Sequence, residues 1–225
     1  MFRVQEVVSS NLTAPTIFFF VHIAPGSTQT NYEIIYPLKS ILERIDLAAV
    51  FPVVQPLELE LGSGDGSFLI QQAVGHAGRN FIGIERLLGR LRKIEKRGRQ
   101  TGLKNLRALR IESAYFLQYL LPAHTVSALH IYFPDPWPKR KHQRHRLINE
   151  TFVGLARQSL TPGGLVYLRT DDADYFSQME QVFSCSDAFK PVETPPELAS
   201  VRTDFEMEFN RRGIPTLRAA YQCQA

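Results

Sequence analysis

The sequence predicts an α/β fold, a mostly parallel sheet covered by helices on both faces. Three observations carry that expectation. Short apolar strands alternate with helical segments, a glycine-rich turn joins the first such pair, and acidic residues close successive strands. At 225 residues, 44% hydrophobic and 21% charged, the chain suits one packed domain and is short for two.

The elements follow in order. Apolar residues at Ile34, Ile35, Leu38, Ile41, Leu42 and Ile45 recur at helical spacing, which predicts a helix over Ile34–Leu47 with one stripe on the core. Pro56–Leu61 reads as a strand and runs into Gly62-Ser63-Gly64-Asp65-Gly66, after which Phe68–Val74 has helical periodicity. The unit then recurs as strand Phe81–Glu85, basic helix Leu88–Thr101, strand Leu106–Ile111, helix Ala114–Leu121 and strand Ala128–Phe133. A helix near Leu147–Ser159 leads to a turn at Thr161-Pro162-Gly163-Gly164, strand Leu165–Arg169, helix Ala173–Phe183 and a closing strand Ala219–Cys223. There are no internal repeats or low-complexity segments.

One domain is expected over residues 26–225. Residues 1–25 read as an N-terminal arm, either ordinary or the product of a start placed too far upstream. The second reading rests on Ser9-Ser10-Asn11-Leu12, whose back-translation can contain TTCGAAT, the T-loop sequence of many tRNA genes.

Charge and cysteine usage exclude several classes. The formal net charge is only +4, but Arg86–Arg110 holds ten Lys or Arg against one acid, Glu95, and Lys139–Arg146 adds five more. Either run alone reads equally well as a solvated face; two in one domain point to a polyanionic partner. Cys185 and Cys223 have no zinc-like spacing, so neither a structural metal nor a disulfide framework is expected, and a reducing cytoplasm fits. The apolar run Ile17–Ala24 is far shorter than the ~20 residues of a membrane span. A soluble protein, monomer or homodimer, is expected.

The glycine turn follows the first strand, where ligands sit in parallel sheets. Its register is GxGxG and not the dinucleotide GxGxxG, and it lacks the Lys and Ser/Thr of a phosphate-cradling loop. Gly62, Gly64 and Gly66 let the backbone approach a ligand closely. Glu60, two residues earlier, repels a pyrophosphate but suits the ammonium of an amino-acid moiety. That favours S-adenosyl-L-methionine over NAD or ATP. Glu85 closes the second strand about 20 residues on, where an acid accepts hydrogen bonds from ribose hydroxyls, and Glu112 ends the third strand, facing an adenine edge. Any one of these alone reads as a surface acid.

Phe133-Pro134-Asp135-Pro136-Trp137-Pro138 follows the fourth strand, and its three prolines stiffen the backbone around Asp135. Lys139 to Arg146 comes immediately after. An acid and a planar aromatic beside a basic run suit a nucleobase held near a carboxylate with its phosphates bound electrostatically. The bland reading is a rigid turn followed by a solvated charge run.

Together, Glu60–Gly66, Gly83-Ile84-Glu85, Phe133–Trp137 with Lys139, and Thr203-Asp204-Phe205-Glu206 resemble the bacterial tRNA (guanine-N7)-methyltransferase family, over roughly residues 30–222. The glycine turn is shared by many methyltransferases; the Phe-Pro-Asp-Pro-Trp segment with its basic tail is the specific part. The resemblance implies a class I S-adenosylmethionine-dependent, Rossmann-like domain that methylates N7 of a guanine in the tRNA variable loop. It further implies cofactor contacts at Glu60, Gly62, Gly64, Glu85, Glu112 and Asp135, with Asp135 also catalytic. Lys139, Asp171, Thr203, Asp204, Phe205 and Glu206 match positions that bind the guanine or its surroundings. Two departures stand out: Glu112 replaces a common Asp, and Asp204 a common Lys.

The chemistry is compatible with carboxylates. Guanine N7 carries an in-plane lone pair, so methyl transfer from a sulfonium requires no deprotonation of the attacking atom. A fixed carboxylate stabilises the charge that develops on the purine and accepts bonds from its N1 and N2 donors. Three rivals remain: a methyltransferase acting on an exocyclic amine through an Asp-Pro-Pro-aromatic loop, a non-enzymatic RNA-binding module on the same fold, and an NAD-dependent oxidoreductase. The single proline between Asp135 and Trp137, the strand-end acids and the glycine register argue against each in turn.

Overall fold

The computed structural model describes residues 33–224, and the arm expected over residues 1–25 lies outside them. Among the described residues, seven strands form one sheet: β1 (Leu57–Leu61), β2 (Asn80–Ile84), β3 (Leu106–Leu109), β4 (Val126–Tyr132), β5 (Leu160–Thr170), β6 (Phe189–Val192) and β7 (Leu217–Cys223). Their order is β3-β2-β1-β4-β5-β7-β6, parallel throughout except for β7, which pairs antiparallel with both β5 and β6. Because β1 leads outward to β2 and β3 while β4 returns to the other side, a crevice opens beyond the carboxyl ends of β1 and β4.

Alternating side chains of each strand enter cores on opposite faces. Leu57, Leu59, Leu61, Ile82, Ile84, Leu129 and Ile131 pack with Phe116, Phe152, Tyr175 and Met179. These come from the turn α4 (Ser113–Tyr115) with its π-helical continuation Phe116–Leu120, and from α5 (Glu150–Ser159) and α6 (Ala173–Ser184). On the other face Phe81, Leu106 and Ala108 meet Leu69, Ala73, Leu91 and Ile94, supplied by α2 (Ser67–Gly75) and α3 (Leu88–Gln100).

The predicted helix over Ile34–Leu47 is not formed. Ile35 instead bridges in parallel to Ala108 at the sheet edge, with Tyr36 N donating to Ala108 O and Ala108 N to Ile34 O. Pro37 explains the failure, because it removes a donor and disfavours helical geometry at Tyr36. The supposed stripe is also half outside: Ile41 is 59% and Leu42 82% exposed. Only α1, Leu47–Val50, is helical there.

Three further elements do not follow from the apolar periodicity. These are the edge strand β6, the short helix α7 (Pro196–Ser200) and α8 (Asp204–Arg211). The Thr161–Gly164 turn is absorbed into β5 as an irregularity in its register against β4.

Candidate active site

All five residues of β1 are buried, including Glu58 and Glu60. A Leu-Glu-Leu-Glu-Leu alternation in a central strand places both acids on one covered face, and each needs a partner there. Glu58 has them: His130 Nε2 lies 2.9 Å and Arg79 Nη1 2.6 Å from its carboxylate oxygens. Glu60 does not, for its Oε2 is buried without a hydrogen-bond partner among the described residues. Burial holds the Glu60 carboxyl well above the usual carboxylate range; Arg169 pulls it back, while Asp65 and Glu85 push the same way as burial.

The glycine turn above Glu60 is tied to β2, with Gly62 N and Ser63 N both donating to Ile84 O at 2.9 and 3.0 Å. Gly62 and Gly64 have φ of +79° and +56° and open space where a Cβ would lie, so their backbone is uncovered on that side. Gly64 N donates to Glu85 Oε2 at 3.1 Å and Leu87 N to Glu85 Oε1 at 2.8 Å, which fixes that carboxylate at the end of β2. Glu112 caps α4, accepting from Ala114 N at 3.0 Å and Tyr115 N at 2.7 Å.

A cavity of about 330 Å³ lies over these strand ends, and Gly62, Glu85, Glu112 and Asp135 all line it. Trp137 and His145 contribute to its wall, as does Arg90, whose Nη1 is 3.7 Å from Glu85 Oε2. The Phe133–Trp137 loop carries two non-glycine residues at positive φ, Phe133 at 52° and Trp137 at 45°. Such residues cost of order 1–3 kcal/mol each and persist where the surroundings over-determine them. Asp135 is exposed between them, and its carboxylate makes no hydrogen bond or ion pair within the described residues.

Glu60 and Gly64 flank the lining residues Leu61 and Gly62 in sequence but do not themselves line the cavity, and the remaining expected residues also lie outside it. Lys139 is exposed and precedes a 3₁₀ turn over Arg140–His145, while Asp171 is half-buried after β5. Thr203 caps α8, its hydroxyl accepting from Glu206 N at 3.0 Å. Glu206 is fully buried, bonded to Arg169 Nη1 at 3.0 Å and to Arg218 Nη2. The side chains of Thr203 and Glu206 are thus spent internally, whereas Asp204 and Phe205 are exposed. Asp204 N donates to Ser67 Oγ at 3.2 Å, which joins α8 to the start of α2 beside the glycine turn.

Sequence reasoning missed Arg169. It donates to Val201 O and Leu198 O at 2.6 Å each and lies 4.2 Å over the Tyr132 ring. A lone cation ending the apolar run Leu165–Leu168 is the signal that points to it. The Thr-x-x-Glu spacing of Thr203 and Glu206 likewise marks a helix start. The basic runs need correction too, since each sends one cation inside: Arg107 and Arg146 are both 3% exposed.

The orphaned Glu60 oxygen fits a ligand carrying a cationic amino group, and its protonation gives a test. Because the folded-state value is raised, ligand-free stability from this group is full below the ordinary 4.5 and is lost as pH rises through the folded value. Glu60→Gln is therefore expected to raise the melting temperature of the ligand-free protein near neutrality with little effect below pH 4.5. A cationic ligand favours the carboxylate, so its affinity is expected to rise with pH in the wild type and to be weak in Glu60→Gln. Calorimetric titration with S-adenosyl-L-methionine across pH, alongside thermal unfolding of the ligand-free protein, checks both.

Residues 54–219 match the family described as "Putative methyltransferase". The chain is 35% identical over 170 residues to a tRNA (guanine-N(7)-)-methyltransferase of Nitrosococcus oceani, covering 75% of this chain and 72% of that one. It is 32% identical to a protein of the same name from Halorhodospira halophila, covering 75% of each. Among solved structures, a 30S ribosomal A1408 methyltransferase from an uncultured bacterium superposes with a TM-score of 0.56 at 17% identity, covering 80% of this chain and 95% of that one, a likeness of fold alone.

Proposed function

This chain belongs to the bacterial tRNA (guanine-N7)-methyltransferase family, and on that premise we propose that its cavity binds S-adenosyl-L-methionine and methylates guanine N7 in the variable loop of tRNA. The observation that carries the reading is the conjunction, in one cavity, of Glu85 and Glu112 at strand ends, the open backbone of Gly62, and Asp135 on a proline-stiffened loop.

The residues fit the cofactor. Glu60, Gly62 and Gly64 suit the methionine part, Glu85 the ribose and Glu112 the adenine. Bound there, the cofactor supplies an electrophilic methyl group on a sulfonium. Asp135 accepts hydrogen bonds from the guanine edge and stabilises its developing positive charge. Its stiff loop maintains the alignment on which a displacement depends. Asp204 and Phe205 with Lys139 and Asp171 surround the base, and Thr203 and Glu206 serve by fixing the first turn of α8. Arg140, Lys141 and Arg144, all exposed, hold phosphates.

The test is incubation with tRNA lacking the modification, followed by nucleoside analysis. The expected product is 7-methylguanosine at one variable-loop site; methylation of an exocyclic amine, or none, rejects the reading.

A further inference from the structure

Arg146 closes a run of cations, yet it is the one that solvent does not reach. Its Nε donates to Pro136 O at 2.7 Å, Nη1 to Gln178 Oε1 at 2.8 Å and Nη2 to Asp174 Oδ2 at 2.6 Å. The guanidinium carbon also lies 4.8 Å from the centre of the Tyr175 ring. Taking a guanidinium out of water is costly unless its donors are satisfied, and here its three nitrogens each find an acceptor. A buried cation so occupied is poorly placed to hold a phosphate.

Those bonds add to the Phe133 N to Arg169 O bond at 2.8 Å and to the ring contacts of Phe133 with Phe209 and of Trp137 with His142 and His145 in holding the loop. Pro134, Pro136 and Pro138 lack amide hydrogens, so the segment bearing Asp135 has few donors of its own. Its two residues at positive φ nevertheless require restraint from outside. The carbonyl of Pro136 is adjacent to Asp135, and through Arg146 it is joined to two side chains of α6, a helix packed on the sheet core.

We propose that Arg146 is a positioning residue, which clamps the Asp135 loop to α6 through the Pro136 carbonyl and makes no contact with tRNA phosphate. The proposal rests on the methyltransferase reading of the cavity for its consequence, but the clamp itself is measurable without catalysis. Trp137 is the only tryptophan in the chain and lies in this loop, so its fluorescence reports the loop directly.

The experiment compares Arg146→Met, Arg146→Lys and Asp174→Ala with Arg140→Ala/Lys141→Ala/Arg144→Ala, measuring single-turnover rate, cofactor affinity, the salt dependence of tRNA binding and acrylamide quenching of Trp137. Arg146→Met is expected to lose about tenfold or more in rate and to expose Trp137 to quencher. Its cofactor affinity should stay within about twofold and its salt slope should be unaltered, with Arg146→Lys recovering part of the rate. The triple variant is expected to show the opposite pattern, a slope shallower by about 0.7 to 0.9 for each phosphate no longer neutralised and Trp137 quenching as in the wild type.

A shallower slope with a normal rate in Arg146→Met overturns the proposal, as does unchanged quenching. If Arg146→Met does not fold, Asp174→Ala decides, since that side chain is 71% exposed and its removal spares the core. Greater quenching with a several-fold slower rate supports the clamp, and no change in either rejects it. Wild-type protein inactive on tRNA defeats the proposed function, while the quenching comparison still decides whether Arg146 holds the loop.

Discussion

Asp135→Asn is expected to slow methyl transfer by about 10²–10³ at saturating cofactor and tRNA, the scale on which a preorganised charge at the reacting centre acts. The carboxylate is exposed at the cavity lip and makes no bond within the described residues, so neutralising it removes nothing the fold uses. The melting temperature and cofactor affinity are therefore expected to match wild type within about 1 °C and a few-fold, surface changes being nearly neutral. Asn keeps the shape of the loop residue but not its charge. A single-turnover rate close to wild type in the Asn variant shows that Asp135 merely shapes the turn, and the electrostatic account then fails.

Glu206→Gln is expected to produce the largest loss of stability in the molecule. The Glu206 side chain is wholly buried against Arg169, whose own side chain is 1% exposed, and against Arg218, which is 32% exposed. Removing one member of a buried ion cluster costs about 3–5 kcal/mol, because the remaining charge is left without its counter-ion. For a domain of this size that corresponds to a fall in melting temperature of about 6–20 °C. Thermal unfolding with and without tRNA separates two roles. A structural Glu206 gives a large drop in melting temperature whether or not tRNA is present. A Glu206 that binds guanine gives an unchanged melting temperature and weakened tRNA affinity.

Arg169 connects that cluster to the cofactor side of the site. It is the cation that partly offsets the burial of Glu60, and it also bonds the carbonyls of Leu198 and Val201 that precede α8. The acid proposed to meet the cofactor and the helix that carries Phe205 therefore share one buried charge. No spacing rule relates Glu60, Arg169 and Glu206, which lie on three separate elements.

Local chemistry determined a great deal on its own. The alternation of strands and helices, the glycine turn after β1 and the acids ending β2 and β3 are legible because each depends on residues within a few positions of one another. So is the Phe133–Trp137 segment, whose prolines restrict the backbone wherever they stand. The Ile34–Leu47 helix failed for a local and a distant reason: Pro37 stands inside the segment despite its helical spacing, and pairing of Ile35 with Ala108, on a strand far along the chain, offered the backbone better partners. Only the tertiary structure decided which charges are solvated. Arg107 and Arg146 read as cations like their neighbours and Arg169 as a lone strand-end cation, yet all three are buried. Acceptors distant in sequence converge on Arg146 and Arg169, and Arg107 adds Val50 O to the nearer Lys104 O and Leu106 O. A lone sequence specifies donors without showing where their distant acceptors will be.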